Sequence, residues 1–472
     1  MLPELILVQK LLWLAMGIPL VDLALMLKKN RNKLATSRLG SKKDLGRLIG
    51  DDGLILSKKF QLTFKKTLEG VCIIAPTGEG KTTSIFLPNL LSNDLPKGSK
   101  IIADPKGELF KLTSEYQRSI GIEPILFEPL GNNAHYNPLE HCKNFTEVRE
   151  LASNLIQNGE LAIQLASGRN GGSSEWINMS IPLFTAMLLL CKTVSEAVKK
   201  LISTPTLELP HLFETCGNED AKEQFNIFMA SAGSPKTLSS IVSTLLSSLQ
   251  LFTDHDLIKT TSESDFSPLD LRKKPVALYI KYDEAKSNYL APFLSVFYSQ
   301  LIDKIMYNEG LPILFMLDEF QNIGRISNFA QIVAVGRSRN LGFMICLQNL
   351  VRLYDVHGKN NTTTILNNMK TKCILPSLSD YDALSYISNL CGDKEVATES
   401  KSGDKINHST TTRRLFPADE IRRIEDNKIL IIAHNKLPFL DNQNVYYTQE
   451  KYLKNVIYKT TPLIINHQKK LA

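Results

Sequence analysis

Short apolar runs of strand length mark both ends of this chain, and its middle reads in a helical rhythm. The strand-like runs are Val71 to Ile74, Ser99 to Ala103, Pro124 to Phe127, Pro275 to Ile280, Pro312 to Leu317, Phe343 to Leu347 and Lys428 to Ala433. Such strands alternating with helical segments are the mark of a parallel sheet with crossover helices. From about Asn144 to Asp265 the strand signals fade and apolar residues recur at helical spacing, as in Ile181 to Leu190 and Leu238 to Phe252. Ser174 and Glu175 open a helix whose Trp176 reads as a core residue. The Ser/Thr-rich, aperiodic stretch from Ala397 to Arg414 reads as a mobile loop, and Lys428 to Ala433 as the last core strand.

One junction between a strand and a helix carries chemistry. After Val71-Cys72-Ile73-Ile74-Ala75 come Pro76, Thr77, Gly78, Glu79, Gly80, Lys81, Thr82 and Thr83, then the helical pattern Ile85 to Leu91, interrupted by Pro88. This is the order of a phosphate-binding loop. Gly78 and Gly80 let the backbone curl so that successive N–H groups face phosphate oxygens. Lys81 is placed for the β- and γ-phosphates and Thr82 for Mg²⁺, at a helix start that favours anions. Ala75 stands where the motif has its first glycine. A nucleoside triphosphate, ATP, and Mg²⁺ are the implied ligands.

The partner of this loop lies far downstream. The strand Pro312 to Leu317 ends in Asp318-Glu319, which suits a first carboxylate that holds the metal shell with Thr82 and a second that polarises water. Further on, Gly336-Arg337-Ser338-Arg339 follows an amphipathic segment, Phe329 to Val335. The strand Phe343 to Leu347 ends in Gln348, placed to sense a γ-phosphate. Arg337 is placed to reach a neighbouring subunit's nucleotide, as arginine fingers do. A solvated helix end and a turn residue are the plainer readings of these two.

Composition narrows the setting. The chain has 472 residues, 43% hydrophobic and 22% charged, with a net charge of +7. Two or three domains are the usual yield of this length. Seven scattered cysteines without a C-x-x-C spacing argue for a reducing environment, against a disulfide framework and against a zinc site. Residues 5–27 are mostly apolar but broken by Gln9, Lys10, Pro19 and Asp22, and the cleanest run falls short of a full span. A reduced membrane anchor, an interfacial helix and a buried helix all fit. Twelve Lys or Arg against three Asp lie between Lys28 and Lys66, a basic collar that suits anionic lipid, nucleic acid or a solvated linker.

Several further segments widen the comparison. Asp104-Pro105-Lys106-Gly107-Glu108-Leu109, Tyr136-Asn137-Pro138-Leu139, Asp318-Glu319-Phe320, Gly336-Arg337, Leu347-Gln348 and Asp419-Glu420-Ile421-Arg422 stand in fixed order after the phosphate loop. In this the chain resembles the type IV secretion coupling proteins, over roughly Ala35 to Leu440. The resemblance implies an α/β, RecA-like core with an inserted all-α domain, assembled as a homo-hexamer with Arg337 acting in trans. It divides the chain into a membrane-anchor candidate (1–28), a nucleotide-binding domain in two parts (29–142 and 268–472) and an all-α insert (143–267). It implies an ATP-driven motor at the cytoplasmic face of a bacterial inner membrane. Its partners would be type IV secretion channel subunits, a relaxase with single-stranded or duplex DNA, and effector proteins. A soluble DNA translocase of the RecA-like class and a nucleotide-switched docking platform are the competing readings. Members of the family usually carry two transmembrane helices, and this chain has room for one at most.

Overall fold

The computed structural model describes residues 37–168, 174–402 and 405–456. The candidate anchor (1–28) lies outside these residues. Nine strands form one sheet in the order β11-β10-β7-β1-β6-β5-β2-β4-β3. They are β1 (Val71–Ile74), β2 (Ser99–Ala103), β3 (Glu123–Phe127), β4 (Val276–Ile280), β5 (Ile313–Leu317), β6 (Leu341–Leu347), β7 (Thr371–Ile374), β10 (Lys428–Ala433) and β11 (Phe439–Asn442). The seven from β7 to β3 run parallel. Only β10 and β11 run against their neighbours.

The apolar runs are strands because both sheet faces are covered. Cys72 and Ile74 pack into one hydrophobic cluster and Val71, Ile73 and Ala75 into the other. β5 divides the same way, with Ile313, Phe315 and Leu317 on one side and Leu314 and Met316 on the other. Burial on both faces removes the polar alternation of a half-exposed strand.

The helices used below are α1 (Glu108–Ser119), α2 (Phe145–Ser167), α3 (Ser174–Leu188), α4 (Val194–Ser203), α5 (Glu219–Ala232), α6 (Pro235–Ser248), α7 (Ser287–Met306), α8 (Phe329–Val335) and α9 (Leu350–His357). Among the described residues every element between β3 and β4 is helical. Side-chain caps start them: Asn144 accepts from Glu147 N, Thr193 from Glu196 N, Asn218 from Ala221 N and Ser234 from Thr237 N. Trp176 packs against the core from α3. The inserted helices share one hydrophobic cluster with α7 and one face of the sheet.

Three expectations need correction. Ala397 to Arg414 is not a loop. β8 (Asp393–Ser402) and β9 (Lys405–Arg414) pair antiparallel from Asp393↔Arg414 to Ser402↔Lys405. Its facing pairs include Val396↔Thr411 and Ala397↔Thr410, and β-branched residues such as Val396, Thr410 and Thr411 are enriched in strands. Its Ser/Thr-rich sequence carries no hydrophobic period. Lys428 to Ala433 is not the last strand, since β11 adds to the edge with only Phe439 and Asp441 buried. Finally, Pro88 does not interrupt a helix. The chain turns helical at Thr82 as a π segment to Phe86, and Pro88 sits in the first turn of Leu87–Leu90. Leu87 N donates to Thr82 O, a register shift just ahead of the residue that has no N–H to donate.

Candidate nucleotide site

The C-terminal ends of parallel strands form a rim where loops converge, and a cavity of about 770 Å³ lies there. Thr77 to Thr83 enter from β1, Asp104 to Glu108 from β2, Glu284 after β4, Asp318 and Glu319 from β5, and Ser377 after β7. Because β10 runs antiparallel, its start brings Asp426 and Asn427 to the same rim. The end of β11 brings Gln443, Val445 and Tyr447.

Lys81 is the pivot. Its side chain is buried, and Nζ donates to Pro76 O at 3.1 Å and lies 3.5 Å from Glu319 Oε1. Glu319 is also buried, and its Oε2 accepts from Gln321 Nε2 at 2.9 Å. Glu319 adopts φ 54°, ψ 45°, a left-handed conformation that costs a non-glycine residue energy and clusters at functional sites. Gly80 has φ +85°, and a Cβ there would stand 2.8 Å from Gln443 Oε1. A Cβ on Gly78, φ +89°, would meet nothing within 4 Å. The loop is therefore braced at Gly80 and open at Gly78, as a cradle for an incoming anion has to be. Ser84 Oγ and Thr83 Oγ1 both donate to Gly80 O, at 2.7 and 3.2 Å.

Burial, with Glu319 alongside, pushes Asp318 up to about 7 against the opposing pull of Lys81. Burial likewise raises Asp104 to about 6, although Leu109 N and Phe110 N donate to its carboxylate from the first turn of α1. Asp318 and Glu319 beside one lysine, with Asp104 adding its charge at Asp318, form a site under electrostatic tension that a divalent cation would relieve. A hydroxyl at Thr82 and the carboxylate of Asp318 are the oxygen donors Mg²⁺ takes, so the residues present fit the group.

Gln348 and Arg337 stand apart from this cavity. Gln348 follows Leu347, whose carbonyl accepts Ala75 N at 2.9 Å; it borders the start of the phosphate loop without lining the cavity. Arg337 lies before β6 begins, at the opposite, N-terminal ends of the parallel strands. Its side chain is 59% exposed and pairs with Glu69 at 2.7 Å. The same Glu69 holds Lys66 at 2.9 Å and His434 at 3.3 Å. Sequence reasoning did not assign Asp104 to the site, although a carboxylate ending an apolar strand was the same signal as Asp318. Nothing marked Glu284, Ser377, Asp426, Asn427, Gln443 or Tyr447, which reach the rim only through the sheet order.

The sheet, the loop and the paired carboxylates define a P-loop nucleoside-triphosphatase fold. Residues 22–468 match the family model for type IV secretory system conjugative DNA transfer. The chain belongs to that family. It is 30% identical over 417 residues to the protein VirD4 of Rhizobium radiobacter, with 81% of this chain covered. It is 21% identical over 391 residues, with 77% of this chain covered, to the conjugal transfer protein TraG of the same organism. It spans 58% of the length of that VirD4 and 60% of that TraG. Among solved structures, the unbound bacterial conjugative coupling protein TrwB shares the fold. Its TM-score is 0.66 at 16% identity, over 87% of this chain and 93% of that one. TrwB has also been solved with a non-hydrolysable ATP analogue and with ADP and Mg²⁺.

Proposed function

We propose that this chain is an ATP-hydrolysing coupling protein that delivers relaxase–DNA complexes, effector proteins or both to a type IV secretion channel. The observation that carries the reading is the meeting of Lys81, Asp318 and Glu319 in one cavity, from loops more than two hundred residues apart in sequence. In this reading Lys81 leaves Glu319 for the β- and γ-phosphates of ATP, cradled by the backbone from Pro76 to Thr83. Thr82 and Asp318 hold the shell of Mg²⁺, which when bound offsets charge on the phosphate oxygens. Glu319, released from Lys81, takes the proton of the attacking water. Gln348, at the strand end between the two half-sites, follows the γ-phosphate.

The exposure of Arg337 at the far ends of the strands supports a role in a neighbour's site, within a homo-hexameric ring. The likeness to VirD4 and TraG supports a position at the cytoplasmic face of a bacterial inner membrane. Among the described residues no helix is long and apolar enough to cross a membrane.

The test is steady-state ATP hydrolysis by the full chain. Glu319→Gln should lower kcat by about a hundredfold or more while still binding nucleotide, and Lys81→Ala should abolish binding and hydrolysis together. Hydrolysis that persists in both variants would sink these roles. DNA transfer by donor cells carrying each variant tests the coupling function itself.

A further inference from the structure

We infer that Asn158, on α2 of the helical insert, is a positioning residue for Glu319, through which the insert sets how fast the nucleotide site turns over. The inference rests on the ATPase reading above and names the contact by which it is regulated. The chain leaves Glu319 through a single 3-10 turn, Phe320–Asn322, in which Asn322 N donates to Glu319 O at 2.8 Å. Gln321 in that turn also holds the Glu319 carboxylate. Three residues later the backbone meets the insert. Asn158 Oδ1 accepts Arg325 N at 2.8 Å and Asn158 Nδ2 donates to Arg325 O at 3.2 Å. One buried amide therefore clamps both backbone groups of one residue. A turn earlier on α2, Asn154 Oδ1 accepts Ser327 Oγ at 2.6 Å.

The clamp has no slack on either side. A Cβ on Gly324, φ +89°, would lie 2.9 Å from Ala291 O of α7 and 3.3 Å from Asn158 Oδ1. On the far side of the turn, Phe320 stacks on His357 with ring centroids 5.3 Å apart and planes 8° from parallel. His357 closes α9, the helix that opens two residues after Gln348. The residue beside Asn158 fastens α2 to the rest of the insert, because a Cβ on Gly159 would stand 2.1 Å from Ser248 O at the end of α6. A shift of the insert thus reaches Asn158 directly, and from there the strained backbone of Glu319. The clamp residues line a polar cavity of about 560 Å³ between α2, α7 and the loop of Arg325, Ser327 and Asn328. Beside the apolar packing that α2 shares with α7, its contact with the loop after Glu319 includes the hydrogen bonds of Asn154 and Asn158, which a small displacement can break.

The experiment compares Asn158→Ala and Asn158→Asp with the parent chain and with Arg149→Ala, an exposed control on the same helix away from the cavity. The readouts are kcat, KM for MgATP, affinity for a non-hydrolysable ATP analogue, and amide hydrogen exchange across residues 145–167. Asn158→Ala should lose about tenfold in kcat with analogue affinity within about twofold, a positioning loss of moderate size. Asn158→Asp keeps the acceptor for Arg325 N and should fall between. In the parent, the analogue should change exchange along α2, and in Asn158→Ala that response should vanish. A kcat for Asn158→Ala within about twofold of the parent overturns the inference. So does a loss of kcat that comes with an equal loss of analogue affinity and an intact exchange response. Should Asn158→Ala not fold, Asn158→Asp takes its place with the same criteria. If hydrolysis survives Lys81→Ala in the same assay, the ATPase reading falls instead, and the exchange response alone then decides the role of Asn158.

Discussion

Asp318 sits where burial and the neighbouring Glu319 both oppose ionisation, and its carboxyl is held near 7 in place of the ordinary value near 4. A carboxyl raised on folding binds its proton more tightly in the native state. Its contribution therefore favours the fold on the acid side and is lost as pH climbs from about 4 to about 7. The proposed metal role has the opposite dependence, since only the carboxylate binds a cation. Mg²⁺-dependent nucleotide affinity should fall as pH drops below about 7, and Mg²⁺ binding should release a proton near neutrality. Calorimetry in buffers of different ionisation enthalpy reads that proton, and Asp318→Asn should abolish it. Of the site at this scale, Lys81, Thr82, Asp318 and Glu319 were legible in the sequence, because glycine turns and carboxylates ending apolar runs are local signals. Gln443 was not, since its place beside Gly80 depends on a strand pairing that leaves no local trace.

At the scale of elements, α2 carries two duties that compete for the same surface. It crosses the end of α6 so closely that only glycine fits at position 159, and it presents Asn154 and Asn158 to the loop after Glu319. Gly159→Ala should force that crossing apart at a cost of roughly 2 kcal/mol and lower the melting temperature by several degrees. Circular dichroism measures the loss, and an unchanged melting temperature would show that the crossing is looser than described. Helical period marked α3 and α6, and Ser174 with Glu175 marked where α3 opens. The β8–β9 ribbon escaped notice because its polar, Ser/Thr-rich strands carry no hydrophobic period to read.

For the whole molecule, the arrangement of Arg337 has the widest consequence. Within one chain it lies at the ends of the strands opposite the phosphate loop, tethered to Glu69 with Lys66 and His434. In the proposed ring, an arginine so placed would reach a nucleotide across a subunit boundary. Arg337→Ala should therefore lower kcat by about a thousandfold in a homogeneous assembly. Mixing it with Lys81→Ala chains should restore part of the activity, because each mixed boundary can join an intact loop to an intact arginine. Two dead variants that stay dead on mixing would place the arginine's role elsewhere. The seven unpaired cysteines mean that the fold is held by its core and hydrogen bonds, without a covalent staple.

The sequence by itself determined the parallel α/β core, the helical insert and the phosphate loop with its carboxylate partner. Each of these is written in local periodicity, glycine placement or the residue that ends an apolar run. Tertiary structure alone decided which loops share the rim and added a second strand pair and the edge strand β11. It brought Asp104 beside Asp318 and placed Arg337 at the opposite strand ends. Sheet order and strand direction are set by long-range packing and hydrogen bonding between segments hundreds of residues apart, and no local pattern carries that information. The tie between Asn158 and the loop after Glu319 belongs to the same class, visible only once α2 lies against β5's outgoing turn.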